Sequence, residues 1–434
     1  MKKKNSLYKF LLPALVLFVQ SCKKEYGDLN HATVEGFTGN ATKPELNNLV
    51  NGTESGMRSE LTLYLDDVGV LGREYYRFSN SEPRYVKDMV GGANSILGNS
   101  NFYIGNTWGS FYQVVKNCNI LIQSATNSKS ISAAERDGYC GFGRTIKAYE
   151  LLLCLNLVDT SGIRIQVGDP DHLGPFVKKA DALTAIKALL DSAQTNFNNA
   201  TIDYTLAGFT DFPDAAGLTK VNRALAARVA AYRQDWAGVL TNLNSSFFDM
   251  NGDFSLGVYH VFGTGSGDQL NTFFFPQNQT GDVRVVQAGY AADIEAGDDR
   301  IGKATLRQSP ASVSGLSGDR DVWVSTTSTS PITIIRNEEL ILLYAEAQIQ
   351  LGAFPDAVTA LNKIRTKHGL GVYAGAMSKD ALITEMLKQR RYSLFAEGHR
   401  WIDYRRYNLL NTLPLDRPDD NIWSAFPVPV TETP

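Results

Sequence analysis

The sequence predicts a mainly α-helical fold, a scaffold of paired helices bearing a loop-rich face and a few short strands. Three observations carry that expectation. Apolar residues recur at helical spacing in six segments, 144–158, 182–197, 219–233, 337–351, 356–368 and 379–397, and each forms a stripe that needs a core to bury it. Two helix pairs echo one another: under a single shift Ala227 falls on Ala345, Trp236 on Phe354, Leu243 on Leu361 and Asn244 on Asn362. The unit is a helix with small residues, a short turn with an aromatic and a second helix. It runs to about 34 residues, the tetratricopeptide pattern. From about 245 to 335, by contrast, Gly, Asn and Asp interrupt short aromatic and β-branched runs, the composition of loops with short strands.

In chain order the N-terminus comes first. Lys2, Lys3 and Lys4 precede the apolar run Phe10–Val19, which is too short to span a bilayer and has the form of a secretory signal. It ends at Val19-Gln20-Ser21-Cys22, where a cysteine follows a small residue as in a lipobox. The expected organisation is a lipoprotein signal peptide over 1–21, lipidation at Cys22, a tether over 22–44 and one folded domain over 45–434. No later apolar stretch reaches the ~18 residues of a membrane helix. Cys118, Cys140 and Cys154 show no metal-type spacing and act as small hydrophobes. Within the domain, Gly352 just past one helix and Pro355 at the start of the next mark the turn of the second repeat. Small residues let paired helices approach closely, so these units, with partial ones near 111–157, build a right-handed helical scaffold. The long irregular stretch inside such a domain is where function is expected.

Catalytic patterns are missing. The run 263–268, GTGSGD, lacks the Gly-Lys-Ser/Thr ending of a phosphate loop. In 315–319, GLSGD, Asp319 stands where a nucleophile elbow needs its last Gly. His31, His172, His260, His368 and His399 form no i,i+4 pair, so no zinc motif arises. Asp66–Asp67 and Asp298–Asp299 are sequence neighbours, not carboxyls facing across a bond as glycoside hydrolysis requires. No enzyme activity, metal or cofactor is expected.

Residues 390–410, RRYSLFAEGHRWIDYRRYNLL, interleave five arginines with aromatics. Nucleic acid is excluded as the partner, because Lys+Arg 42 against Asp+Glu 45 leaves a net charge of -3 and no cationic excess to displace counterions. On a continuous helix over 379–408, Ile383, Leu387, Leu394 and Ile402 share a stripe with Arg390, Arg391 and Arg405 on or beside it. Arginines so placed pair with carboxylates. Glu397 and Asp403 are the local partners and Glu346 the distant one, with Trp401 and Tyr404 stacked on arginine stems. The expectation is a structural lattice that includes Arg400.

That stretch resembles the C-terminal signature of the SusD/RagB family of nutrient-binding outer-membrane lipoproteins. Residues 334–370, IIRNEELILLYAEAQIQLGAFPDAVTALNKIRTKHGL, resemble the same family's helical hairpin. Shorter echoes stand at 111–125, 143–158, 217–236, 297–303 and 426–433, while DTSGIRI at 159–165 departs from the family's Tyr-Gly-Asp-x-Pro run. The resemblance implies a tetratricopeptide-like scaffold with a loop-rich ligand face, lipid-anchored in the outer membrane and facing the cell exterior. It implies a non-catalytic capture protein that delivers its ligand to a SusC-like TonB-dependent transporter. An oligosaccharide is the leading ligand; capture of peptides or other nutrients, or a scaffold role, is the alternative. The family builds its site from an early loop region and the stretch before the hairpin. Here these hold Tyr75, Tyr76 and Tyr103 with Arg73, Arg84 and Asn101 in the first region, and Trp323 with Tyr290 in the second. Flat rings stack on sugar C–H faces while planar polar groups hold hydroxyls.

Overall fold

The computed structural model describes residues 34–169 and 171–432; Cys22 and the expected signal peptide lie outside them. The first helices are α1 (Val34–Asn40), α2 (Lys43–Gly56), α3 (Leu61–Leu71), α4 (Phe102–Asn127) and α5 (Ala133–Val158). Then come α6 (Lys179–Phe197), α7 (Ala215–Tyr232) and α8 (Trp236–Asn244). After a strand-bearing stretch the chain returns to helix in α9 (Asn337–Gln350), α10 (Phe354–Lys367), α11 (Lys379–Ser393) and α12 (Arg400–Arg406). Local chemistry starts several of them. Ser132 and Glu135 form a capping box at α5, Asp214 accepts the Gly217 N–H at α7, and Pro355 sits in the first turn of α10.

Helices pack on their chain neighbours: α4 on α5, α5 on α6, α6 on α7, α7 on α8, and α9 on α10 and α11. This is the nearest-neighbour arrangement of stacked helix pairs. The shift seen in sequence has a packing counterpart. Ala227 and Ala345 are both fully enclosed, as are Leu243 and Leu361, while Trp236 and Phe354 are half-buried at the edges of the two cores. Alanine at the shared position removes the bulk that would hold each pair apart.

The continuous helix expected over 379–408 is broken. Ala396 and Gly398 take φ of 61° and 81°, between α11 and α12. The break sends Leu394 to one apolar cluster and Phe395, Trp401 and Ile402 to the other, which a single straight stripe cannot do.

The loop-rich stretch carries more sheet than its composition suggested. β1 (Tyr75–Phe78), β5 (Val283–Val286), β6 (Ala304–Val313) and β7 (Leu316–Val322) form an antiparallel sheet in the order β1-β5-β7-β6. Two small ladders pair β2 (Ile163–Arg164) with β3 (Phe176–Val177), and β4 (Gly257–His260) with β8 (Ile332–Arg336). The β6–β7 hairpin turns at Ser314 and Gly315, with φ of 52° and 84°, the geometry that matches strand twist in a two-residue loop. By pairing β1 with β5 in the register Arg77↔Arg284, the sheet draws the early loop region against the insertion.

Candidate functional site

Where those regions meet, a cleft of about 800 Å³ opens between α3, the start of α4 and the insertion. Tyr85, Phe102, Phe262 and Phe275 bring rings to it, and Glu60, Thr62, Asn106, Gln269 and Asp282 bring polar groups. Strand alternation puts Arg77 and Arg284, partners across β1 and β5, on the cleft side of the sheet. Two cations opposite one another repel; Asp66 of α3 offsets that. Arg284 donates to both Asp66 oxygens at 2.6 and 2.7 Å, and Arg77 Nε stands 3.6 Å from the same carboxylate.

The guanidiniums also fix the rings. Arg77 lies over Tyr85 at 5.2 Å and Phe275 at 4.8 Å, and Arg284 over Phe273 at 4.2 Å and Phe275 at 4.6 Å. Phe102 meets Tyr85 edge-on at 5.2 Å, with Arg84 4.7 Å above its ring. Behind the wall, Asp67 is fully buried without a hydrogen-bond partner; burial and the neighbouring Asp66 hold its carboxyl well above the usual range. The cleft offers ring faces with donors and acceptors around them. Among the described residues no group of three His, Cys, Asp or Glu side chains is placed to hold a metal ion.

Several residues expected to face ligand belong to the core. Tyr75 donates its hydroxyl to Leu65 O at 2.7 Å, Tyr290 to Arg300 O at 2.9 Å, and Tyr76 to Asp416. The Tyr103 hydroxyl accepts from Gly98 N and Asn101 Nδ2, both at 2.7 Å. Arg73 donates from its two terminal nitrogens to Val70 O, Val90 O and Asn421 O. All five side chains are buried, so the expectation of ligand contact is corrected for them: each polar tip already has a partner inside the protein. Arg84 and Asn101 stay at the cleft's shoulder, bonded to each other at 3.1 Å. Trp323 is half-buried outside the cleft lining, its ring 6.1 Å from Phe274.

The same early stretches, 72–85 and 99–103, reach the cleft through Tyr85 and Phe102 instead. Phe262 and Phe275 escaped the sequence reading. The signal for Phe275 was the run Phe273-Phe274-Phe275-Pro276 in a Gly- and Asn-rich context.

The C-terminal arginines are closed off. Arg390 donates to both oxygens of Asp403 at 2.6 and 3.1 Å. Arg406 bridges Asp403, at 2.9 Å, to the fully buried Glu346, which also accepts from Tyr407 at 2.7 Å. Arg405 lies 4.6 Å over Trp401 and Arg400 5.1 Å over Tyr404. Glu397 departs from expectation: it pairs with Arg336, ahead of α9, rather than with the arginines of its own stretch.

This lattice and helices α9 to α12 fall inside residues 285–428, which the SusD family model matches. Over that third of its length the chain is similar to the SusD family. A SusD-like protein of Formosa agariphila is 38% identical over 85 residues, 18% of this chain and 17% of that protein. A SusD superfamily protein from Bacteroides vulgatus has the same fold at 16% identity, with a TM-score of 0.67 over 89% of this chain and 96% of that one. The surface glycan-binding protein A of Bacteroides thetaiotaomicron, solved in complex with laminarihexaose, is 14% identical with a TM-score of 0.70, covering 90% and 97% of the two chains.

Proposed function

We propose that this chain is a non-catalytic cell-surface glycan-binding protein and that the aromatic cleft is its ligand site. The observation that carries the reading is the convergence of Tyr85, Phe102, Phe262 and Phe275, from separate segments, on one cleft whose polar lining mixes uncharged groups with arginines and carboxylates that pair with one another. Rings held by arginines are rigid platforms for the C–H face of a pyranose, and the rim groups bond its hydroxyls. The glycan-binding relative of the same fold supports this choice of ligand. Arg84 and Asn101 belong to the site's shoulder, and Trp323 with Phe274 offers a further ring pair along the same aromatic run. Cys22 would carry the lipid anchor, and a SusC-like TonB-dependent transporter would receive the ligand.

Glycan arrays followed by calorimetry test the site. Tyr85→Ala and Phe102→Ala should each weaken the bound glycan by about 2 kcal/mol, roughly thirtyfold. Affinities within twofold of wild type for both variants would remove the cleft from the reading. Separately, Cys22→Ala should abolish labelling by a palmitate analogue, and gentle solubilisation of wild-type membranes should co-purify a barrel transporter.

A further inference from the structure

On the opposite face of the same sheet end lies a second cleft, of about 400 Å³. Strand alternation creates the pair: Arg77 and Arg284 point into the first cleft, while their chain neighbours Phe78 and Val283 line the second. The two meet at the turn between them, where Asp282 lines the first and Gly281 the second. We infer that this second cleft is a carboxamide-built subsite for the same neutral glycan, and that the ligand is a chain long enough to occupy both. The inference rests on the proposed function and goes further, to the length and charge of the ligand.

Its wall is a built feature. The register of β6 against β7 slips between Leu306 and Ala311, throwing out a bulge over 307–310, a device that re-aims side chains beside sites. Asn278, at φ 61°, locks the bulge by accepting the Gln308 N–H at 2.7 Å and donating its own N–H to Asp321 at 2.7 Å. Arg307 is the cation of this lining, and its donors are spent on Asp321, on Gln279 O at 2.8 Å and on Ser309 O at 3.1 Å.

The groups left to a ligand are uncharged. Asn80 and Gln308 are exposed, and among the described residues neither side-chain amide is bonded to the protein. Each carboxamide offers donors and an acceptor together, which suits the adjacent hydroxyls of a neutral sugar. A uronate or sulfate finds no free cation in this cleft; at the first, Arg58 is paired with Asp268, Arg284 with Asp66, and Arg77 stands 3.6 Å from Asp66 and 3.5 Å from Asp282, with Glu60 adding further negative charge. Between the clefts the chain would pass over Gly281, which carries no side chain to obstruct it.

Isothermal calorimetry on ladders of neutral β-1,3-glucan, β-1,4-glucan and β-1,4-mannan oligosaccharides, from trisaccharide to decasaccharide, tests this. Wild type should gain about tenfold in affinity along the ladder it binds. The exposed double variant Asn80→Ala/Gln308→Ala should keep the trisaccharide affinity and lose that gain. An unchanged gain in the double variant, or no gain with length in wild type, overturns the second subsite. Tyr85→Ala reports separately: wild-type trisaccharide affinity there overturns the aromatic-cleft reading while leaving the double variant to judge this one. Failure of every ladder to bind overturns both.

Discussion

In the C-terminal lattice Arg390 and Arg406 converge on Asp403, and Arg405 lies 4.6 Å over Trp401. In the cleft Arg77 lies between Tyr85 and Phe275, with its Nε unbonded. Both regions set guanidiniums on aromatic rings, and both draw on acids from other elements. The difference is enclosure. Asp403 and Glu346 are sealed with their cations by packed helices, and the Trp401 ring under Arg405 is fully buried. At the cleft the rings press on arginine from one side and face open space on the other. Cation–aromatic stacking therefore says nothing by itself about binding; what covers the ring's second face decides.

The contrast breaks most visibly at Asp403. Asp403→Ala strips the bidentate partner of buried Arg390 and one partner of Arg406, and should cost about 3 to 5 kcal/mol in urea unfolding. A loss below about 1 kcal/mol would show that the lattice is not structural. Tyr85→Ala, by comparison, should leave the unfolding midpoint near wild type while weakening glycan.

A smaller effect sharpens the comparison through pH. Glu74 is buried beside the lattice and accepts the Ala396 N–H at 3.2 Å. Burial pushes its carboxyl up to about 7, against the opposing pull of Arg400. A folded-state pKa above the unfolded value means the native state holds the proton more tightly. Its contribution is present below about pH 4.5 and is lost as pH rises through about 7. Glu74→Gln should flatten that decline by on the order of 2 kcal/mol between pH 5 and pH 8, read from paired unfolding curves. Parallel curves for the two proteins would place Glu74 outside the coupled network.

The smallest effect belongs to Arg391. It faces outward to Asp293, which is 59% exposed, at 2.8 Å. Arg391→Ala should cost less than about 1 kcal/mol. A cost matching that of Asp403→Ala would erase the distinction between sealed and open ion pairs on one helix.

The helical stripes, the shifted repeat and the demand of the C-terminal arginines for carboxylates were all legible in the residues, because each depends on spacing between near neighbours. The early stretch was legible as a region too, since Tyr85 and Phe102 lie within it. Which of its rings face outward was not. Tyr75 and Tyr76 are buried because β1 pairs with β5 and packs on α3 and the C-terminal segment, contacts between residues far apart in the chain. The break at Ala396 and Gly398 likewise follows from two separate cores competing for adjacent side chains. Asp66 finding Arg284, and Glu397 finding Arg336, are choices of the same kind. Sequence by itself determined which residues must be buried or paired, through local periodicity and charge. Only the tertiary structure decided against what, because strand register and the closing of the chain set which surfaces meet.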